Sequence, residues 1–439
     1  MSYRNTDYTH PLLQHLSPLL ATQARRRMMV MAGTALFFSL FSAGVETILP
    51  LWVTKDLGFT ADQWAQLRSL RFFGVFIGVI LLGALSDRFG QRLLSVISML
   101  GAAASLIGFW CWGKQVIWIV MPIYGTLVST AFVNLNTLIQ QVSARRQGVA
   151  NSIYRAIGAG AGIMVPATVT WLGAQWGGYP RVFGLCAALL VASAIILWQY
   201  PGEETPPALG KLRDELRQLG GIYLTAVKQR QMMIFIVLSM VWGNVLAGVG
   251  AFFAVYYTLP EYLHQSDASF GKVMSIAGGA CLLATLLTGL FLDRISLKKL
   301  HGVAGVLTGV CSLAMGLTES PVFIALGFII FSLVASTLVG PSSMWVSRVA
   351  GDGTQTAAFT VHKVFAALFL ATAMWVMSLL EKTIGIRLIF LYGGILGIVT
   401  ALGFFFLPEP PLPGKRMRTH ETVEEEKQET KSETLPGIA

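Results

Sequence analysis

The sequence predicts an all-α integral membrane protein, with twelve transmembrane helices in two pseudo-symmetric bundles of six. Three observations predict this fold: the composition, the number of long apolar runs, and a loop pattern that occurs twice. Hydrophobic residues make up 54% of the 439-residue chain, and charged residues only 12%. Soluble domains carry about 25% charged residues, so the composition argues strongly against a water-soluble enzyme.

Twelve apolar runs are long enough to cross a bilayer, which takes about 20 residues of helix. They are residues 28–51, 63–85, 92–112, 117–141, 149–173, 181–200, 232–257, 269–291, 299–317, 321–346, 355–380 and 385–407. The runs are continuously apolar and do not alternate with polar residues, which favours helices over strands. The predicted helices are numbered span one to span twelve.

The basic residues predict the orientation of these spans. With both termini in the cytoplasm, clusters such as Arg25–Arg27, Arg145/Arg146 and Lys415–Arg418 all lie on the cytoplasmic side. Basic loops stay on that side of a membrane, and we expect a multi-pass protein of the bacterial cytoplasmic (inner) membrane. The same asymmetry accounts for the net charge of +10. We therefore expect the lipid bilayer, and no nucleic acid, as a partner.

The polar stretches divide the chain into five segments. They are a cytoplasmic N-terminal segment (1–27), an N-terminal six-helix bundle (28–200), a cytoplasmic linker (201–231), a C-terminal six-helix bundle (232–407) and a cytoplasmic tail (408–439). The tail is charged and is expected to be disordered. The sequence contains no GxxxxGK[ST] phosphate-binding loop and no Cys/His ligand pattern, so we expect neither a cofactor nor a metal.

A loop pattern follows span two and occurs again after span eight. The first copy contains Gly83, Asp87, Arg88, Gly90 and Arg92, and the second contains Gly289, Asp293 and Arg294. Gly83 and Gly289 are 206 residues apart, as are Asp87 and Asp293. This equal separation indicates a parallel internal repeat. The glycines allow helices to approach closely and the acids can pair or cap, so we expect these loops to act in gating.

The first loop, Gly83-x-x-x-Asp87-Arg88-x-Gly90-x-Arg92, resembles the loop motif of the major facilitator superfamily. Twelve spans and a central linker are similar too, over about residues 28–407. The resemblance implies a secondary transporter that works by alternating access between two rocking halves. It also implies that the first, second, fourth and fifth spans of each half face a central cavity or the seam between the halves. Residues 158–166 resemble part of the antiporter motif of the family and favour export.

Charged side chains within spans cost roughly 2.5–3.5 kcal/mol each on insertion scales and mark function by default. Those predicted within spans are Glu46, Arg68, Arg71, Arg155, Lys272 and Lys363. All of them lie on spans that the family resemblance places next to the cavity or seam. None lies in the interior of spans three, six, nine or twelve.

Glu46 is the one acid predicted within a span, and three roles are open to it. It exchanges a proton during transport, pairs permanently with an arginine, or faces external water. Glu46 and Arg68 each lie about six residues from the outer end of their span, or about 9 Å deep. A pair with Arg68 or Arg71 is therefore geometrically possible. Gly74 and Gly78 lie near that face of span two, where a neighbouring helix can approach.

Two cations from opposite halves are candidates for a clamp that holds an anionic substrate. Arg155 on span five and Lys363 on span eleven occupy nearly repeat-related positions, although both can instead snorkel towards headgroups. His362 can titrate near neutral pH or simply pack. The further residues predicted to bind substrate are Arg71, Asn134, Asn136, Gln140 and Asn244.

We therefore expect a proton-coupled secondary transporter, and not an enzyme, that moves a small organic molecule across the membrane. The molecule is expected to be anionic or amphipathic. The sequence favours export of a siderophore-like or drug-like compound by antiport with protons. Two alternatives stay open: an uptake symporter for an organic anion, and a transporter-like membrane sensor. The expected partners are the small-molecule substrate and protons, and the expected oligomeric state is a monomer.

Overall fold

The computed structural model describes residues 11–82, 85, 89–142, 147–201, 228, 230–291, 295–350 and 355–410. Within these residues every regular element is a helix, which confirms the all-α prediction. The helices are Pro11–Leu51, Ala61–Ile77, Gln91–Trp112, Ile117–Val142, Gln147–Gln175, Pro180–Trp198, Arg230–Thr258, Asp267–Phe291, Leu297–Leu317, Pro321–Ser336, Val339–Ala350 and Gln355–Phe405. Two π-helical segments, Trp52–Asp56 and Gly78–Leu82, continue spans one and two.

The described helices account for the twelve predicted spans. Nine helical stretches of the described chain are long and apolar enough to cross a membrane. The last of them turns at Gly385, whose φ of 76° interrupts the helix, and supplies both span eleven and span twelve. Span two, Ala61–Ile77, is short and contains two arginines. Span ten consists of two shorter helices, Pro321–Ser336 and Val339–Ala350.

Three parts of the predicted organisation differ from the structure. The first helix begins at Pro11, so residues 11–27 continue span one, because this stretch is rich in good helix formers such as Leu, Ala and Arg. Span ten is interrupted at Thr337. There the Thr337 hydroxyl donates to the Val334 carbonyl, 2.7 Å away, and the first of the two helices ends in a turn. The tail begins with an ordered residue, since Glu409 accepts hydrogen bonds from Ser296 and the Leu297 amide. Residues 202–227 of the linker and 411–439 of the tail lie outside the described residues.

Aromatic side chains fill the core of the N-terminal half. The Trp52 ring packs edge-on against Phe183 of span six, with centroids 4.8 Å apart, and against Phe109 of span three at 5.6 Å. Phe109 in turn packs against Tyr124 of span four at 5.9 Å. These contacts join spans one, three, four and six and hold Tyr124 in a fixed position.

Span two packs directly against span four, backbone to backbone. A methyl group on Gly74 would collide with the carbonyl oxygen of Pro122, and one on Gly78 would lie 2.7 Å from the carbonyl oxygen of Thr126. The Thr126 hydroxyl donates to the Gly74 carbonyl at 2.8 Å. The close approach predicted at Gly74 and Gly78 is thus confirmed, and it fixes the height of span two beside Tyr124.

Contacts between the two halves form a seam. On spans five and eight, a methyl group on Gly278 would collide with the Gly162 backbone, and the Ala167 amide donates to the Ser275 hydroxyl at 3.2 Å. Span two joins the C-terminal half twice: the Trp64 indole donates to the Ala251 carbonyl at 3.0 Å, and the Ser69 hydroxyl donates to the Ala371 carbonyl at 2.6 Å. Spans two and five therefore carry the seam for the N-terminal half.

Large apolar side chains are exposed around the outside of the bundle. Ile119 is 69% exposed, Val322 66% and Val399 61%. A soluble monomer rarely leaves such a surface uncovered, whereas the hydrocarbon of a bilayer covers it. This surface fits the predicted membrane location.

Candidate functional site

The predicted contact between spans one and two is an ion pair. Nη2 of Arg71 donates to Oε1 of Glu46, which confirms one of the two pairings that the sequence allowed. The Arg71 guanidinium also lies over the Tyr124 ring, 5.4 Å from its centroid. Arg71 is thus held by a carboxylate from span one and an aromatic face from span four.

The carboxylate of this pair is not sealed off. The Glu46 side chain is 38% exposed, against 12% for Arg71, while Val45 and Thr47 on either side are fully buried. A partly exposed acid exchanges a proton more readily than one in a fully enclosed ion pair.

Arg68 lies one turn along span two from Arg71 and completes a charged cluster with Glu46. Its guanidinium lies 5.8 Å from the Trp64 ring and 5.7 Å from the Phe72 ring. Nε of Arg68 and Nη1 of Arg71 are both buried and have no hydrogen-bond partner among the described residues. The cluster therefore carries two positive charges against one negative charge, with two donors unused.

The polar residues predicted on spans four and seven have mixed surroundings. Asn134 is 3% exposed, and its Nδ2 has no partner within the described part of the chain; the same holds for Oδ1 of Asn244. Nδ2 of Asn136 donates to the Phe132 carbonyl at 2.9 Å, within its own helix. The side chain of Gln140 lies outside the described residues. Asn134 and Asn244 keep unused polar atoms that a ligand can satisfy, whereas the Asn136 amide is already engaged.

The predicted clamp between the halves is described on one side alone. Lys363 is exposed, and the neighbouring His362 ring stacks near Phe235, with centroids 6.4 Å apart. The Arg155 backbone is helical, but its side chain lies outside the described residues. The pairing of Arg155 with Lys363 around a substrate stays a prediction.

The predicted gating loops are described in part. Gly90 adopts a φ of 89° directly before span three, a conformation that favours glycine. Nη1 of Arg92 donates to the Tyr200 carbonyl at 2.9 Å, and its guanidinium lies 5.6 Å from the Trp198 ring. Arg92 thus ties span three to span six inside one half. Gly83, Asp87, Arg88, Asp293 and Arg294 lie outside the described residues, and Gly289 lies near the end of the span eight helix.

A polar cluster that the sequence did not predict joins the two halves at the predicted external face. Asp267, the first residue of the span eight helix, pairs with Nζ of Lys55 at 2.5 Å and accepts a hydrogen bond from the Tyr179 hydroxyl at 2.6 Å. The Tyr179 amide donates to Asp56 at 3.0 Å. We call Lys55, Asp56, Tyr179 and Asp267 the external latch. Burial and the hydrogen bond to Asp267 raise the pKa of Tyr179, so its phenol remains a donor.

The sequence is similar to known transport proteins. A family model of the Major Facilitator Superfamily matches residues 31–262 and 244–434. Multidrug resistance protein MdtG of Yersinia enterocolitica is 24% identical over 301 residues, which cover 66% of this chain and 70% of that protein. Probable transport protein HsrA of Haemophilus influenzae is 29% identical over 143 residues, which cover 30% of this chain and 31% of that protein.

Solved structures share the fold at low sequence identity. Nucleoside transporter NupG superposes with a TM-score of 0.73 at 15% identity, covering 87% of this chain and 99% of that one. A POT family transporter in complex with 5-aminolevulinic acid gives 0.71 at 14%, covering 86% and 95%. A D-xylose-proton symporter gives 0.68 at 17%, covering 88% and 98%. These structures share the fold of this chain, and the family match covers nearly all of the chain, so the chain belongs to the Major Facilitator Superfamily.

Proposed function

We propose that this chain is a proton-coupled secondary transporter of a small organic molecule, with Glu46 as the residue that gains and loses the proton. Its family consists of transporters rather than enzymes. The observation that carries the proposal is the Glu46–Arg71 pair, in which the glutamate side chain is 38% exposed although it lies well inside span one. A purely structural ion pair within a membrane gains nothing from such exposure.

The arrangement of the halves supports alternating access as the way substrate crosses. The external latch and the Trp64–Ala251 hydrogen bond join the halves at the predicted external face. Breaking a few such contacts while others form at the opposite face would expose the cluster to each side in turn. In this proposal the loop residues Gly83, Asp87, Arg88, Gly289, Asp293 and Arg294 gate the predicted cytoplasmic face together with Gly90 and Arg92, and both termini lie in the cytoplasm.

Two directions of transport are candidates, each favoured by one observation. Similarity to a protein named for multidrug resistance supports export of a drug-like or siderophore-like compound. The excess of arginine over acid in the cluster supports uptake of an organic anion together with a proton. In both cases Asn134, Asn244, His362, Lys363 and Arg155 are candidates to complete the substrate site around the cluster, and a monomer suffices.

Flux measurements on Glu46→Gln test the proton role. In proteoliposomes the variant should lose accumulation or extrusion driven by a proton gradient, because glutamine cannot carry a proton. Exchange of substrate across the membrane without a net gradient should continue. Glu319→Gln is the matched control, because it neutralises an exposed acid whose partner, Arg387, lies in the same half. Gradient-driven transport at the normal rate in Glu46→Gln would refute the proposal.

Removal of the tail separates a transporter from a transporter-like sensor. A chain that ends at residue 413 keeps Glu409, which caps span nine, and lacks 414–439. Transport at the normal rate is expected from this truncated chain. Loss of a cellular response with retained ligand binding and no measurable flux in either chain would favour the sensor instead.

A further inference from the structure

We propose that Glu46, Arg68 and Arg71 bind one anionic group of the substrate together with one proton, so that the anion and the proton cross the membrane in the same direction. The substrate class is then an organic anion. This inference rests on the proposed function, because it uses the proton site at Glu46. It also assigns a ligand role to Arg68, which the sequence placed within a span without giving it one.

Unused hydrogen-bond donors point to a ligand with oxygen acceptors. Nε of Arg68 and Nη1 of Arg71 are buried without a partner in the described chain. A buried donor that stays unpaired is costly, and the guanidinium fork matches the two oxygens of a carboxylate or the oxygens of a phosphate. Because the two residues are three positions apart, they share one face of the helix. One anionic group can therefore satisfy both.

The surroundings of Arg68 leave it free for this role. Its two close neighbours are the rings of Trp64 and Phe72 on its own helix, which hold the guanidinium but accept no strong hydrogen bond from it. The acid of the cluster, Glu46, bonds to Arg71 instead. Arg68 is thus positioned by aromatic faces, and within the described chain it forms no direct ion pair.

The charges of the cluster favour binding of the proton and the anion together. The empty cluster carries one net positive charge, from two arginines and one carboxylate. When a proton and a monovalent anion both bind, the net charge is the same. If the anion bound without the proton, the net charge of the cluster would fall to zero. If the proton bound without the anion, the net charge would rise to two. Such swings are expensive in a poorly solvated interior, so the cluster favours symport over antiport.

The groups around Glu46 add no second acid to this count. Arg68 and Arg71 face it from span two, and Tyr124 faces the pair from span four. Cys186 of span six lies close enough to Tyr124 to interact with it. Tyrosine and cysteine are ordinarily neutral at physiological pH. Among the described residues, Glu46 is therefore the group of this cluster that takes up the proton when an anion draws Arg71 away.

Binding measurements on the purified full-length protein test the anion. The probes are carboxylates with matched neutral amides, such as benzoate with benzamide and succinate with succinamide, read by thermal unfolding and by titration. At least one carboxylate should bind and its amide should not. Arg68→Gln should weaken that binding by about 10- to 100-fold, the loss expected for a charge-assisted hydrogen bond, and Arg68→Lys should restore part of it. Lys272→Gln is the matched control, because Lys272 is an exposed cation on span eight.

Proton uptake in weakly buffered solution tests the coupling. Binding of the carboxylate to the wild type should take up about one proton per anion, and binding should tighten as the pH falls. Glu46→Gln should still bind the anion, with no proton uptake. If Arg68→Gln does not fold, the partial loss in Arg68→Lys carries the same information.

Three outcomes with the wild-type protein would overturn the inference. They are no binding by any carboxylate of the panel, equal binding of carboxylates and amides, and release of protons when the anion binds. None of them touches the proton role of Glu46, which the flux experiment on Glu46→Gln decides by itself. Equal losses in Arg68→Gln and Lys272→Gln would also overturn it, because the loss would then follow from any cation removed from a span.

Discussion

Spans two and eight hold equivalent places in the two halves, yet they carry different chemistry. Their helices begin 206 residues apart, at Ala61 and Asp267, the same separation as that of the repeated loops. At this separation, Arg68 and Arg71 of span two correspond to Met274 and Ala277 of span eight. The positions of the two arginines thus have apolar counterparts on span eight, and the fold does not require those charges.

The glycines of the two spans also serve different partners. Gly74 and Gly78 let span two approach span four of its own half, whereas Gly271 and Gly278 let span eight approach span five of the other half. One close approach stiffens the bundle around the cluster, and the other forms the seam. The comparison shows that the repeat preserves the path of the backbone, while each half uses it for a separate task.

The largest effect is expected at the seam. Gly278→Ala places a methyl group against the Gly162 carbonyl, and because that neighbour is backbone it cannot move aside. Overpacking of this kind lowers the stability of the packed state by about 1–3 kcal/mol. We therefore expect the transport rate in proteoliposomes to fall at least about tenfold. Gly279→Ala is the control, since its nearest atom would be 3.9 Å away on Ile163. Equal rates in the two variants would show that the seam tolerates separation.

The next effect tests whether Arg71 of span two and Glu46 of span one act as a pair. Arg71→Gln and Glu46→Gln, alone and combined, should give a coupling free energy of about 1–3 kcal/mol in thermal unfolding. The partial exposure of Glu46 keeps this below the value for a sealed pair. Met274→Gln, at the position that corresponds to Arg68, should show no coupling with Glu46→Gln. Additive losses from Arg71→Gln and Glu46→Gln would mean that the pair contributes nothing.

A smaller effect is expected at the start of span eight, where Asp267 stands in place of Ala61. Asp267→Asn removes the charge that pairs with Lys55, whose side chain is 28% exposed. An ion pair with this exposure contributes up to about 1 kcal/mol, so opening at the external face should rise by up to about fivefold. Thiol labelling of Ala251→Cys, a buried position behind Trp64, measures that opening in a chain whose four native cysteines are replaced.

The control for the latch is an ion pair that does not cross the seam. Glu319→Gln breaks the pair with Arg387, and both partners belong to the C-terminal half. It should leave the labelling rate unchanged. A rise equal to that of Asp267→Asn would mean that any lost charge at this face opens the protein.

The smallest effect is expected from Tyr179→Phe, which removes one hydrogen bond to Asp267. Because the Asp267 side chain is 24% exposed, the loss should be about 0.5 kcal/mol, the low end for a hydrogen bond. Burial raises the pKa of Tyr179 above its ordinary value. The stabilisation that its phenol gives to the closed external face is therefore complete below about pH 10 and is lost only above it. Labelling of Ala251→Cys in the wild type should be the same at pH 7 and pH 9, relative to a free thiol under each condition. A clear rise by pH 9 would contradict this assignment.

The sequence predicted the pairing of spans one and two because depth along a helix follows from residue counts. Glu46 and Arg71 come close for that reason, and an unpaired charge inside a membrane is too costly to be common. The close approach at Gly74 followed from the same helical arithmetic. These predictions needed only local periodicity and the membrane boundary.

The external latch was not predictable in this way. Lys55, Tyr179 and Asp267 belong to three segments far apart in the chain, and nothing in their spacing relates them. Tyr124 was missed for another reason, since an aromatic residue on a membrane helix usually serves packing. Its position over Arg71 depends on how closely Gly125 lets span four approach span two.

The contact between Gly162 and Gly278 has a mechanical consequence. Gly278 lies about 11 residues along span eight from Asp267, or about 16 Å below the external end of the helix, near the middle of a hydrocarbon core of about 30 Å. No side chain stands between the two backbones at this crossing, so no rotamer has to change when one helix swivels on the other. A fulcrum at mid-depth gives two lever arms of similar length. A tilt about it would close one face by as much as it opens the other.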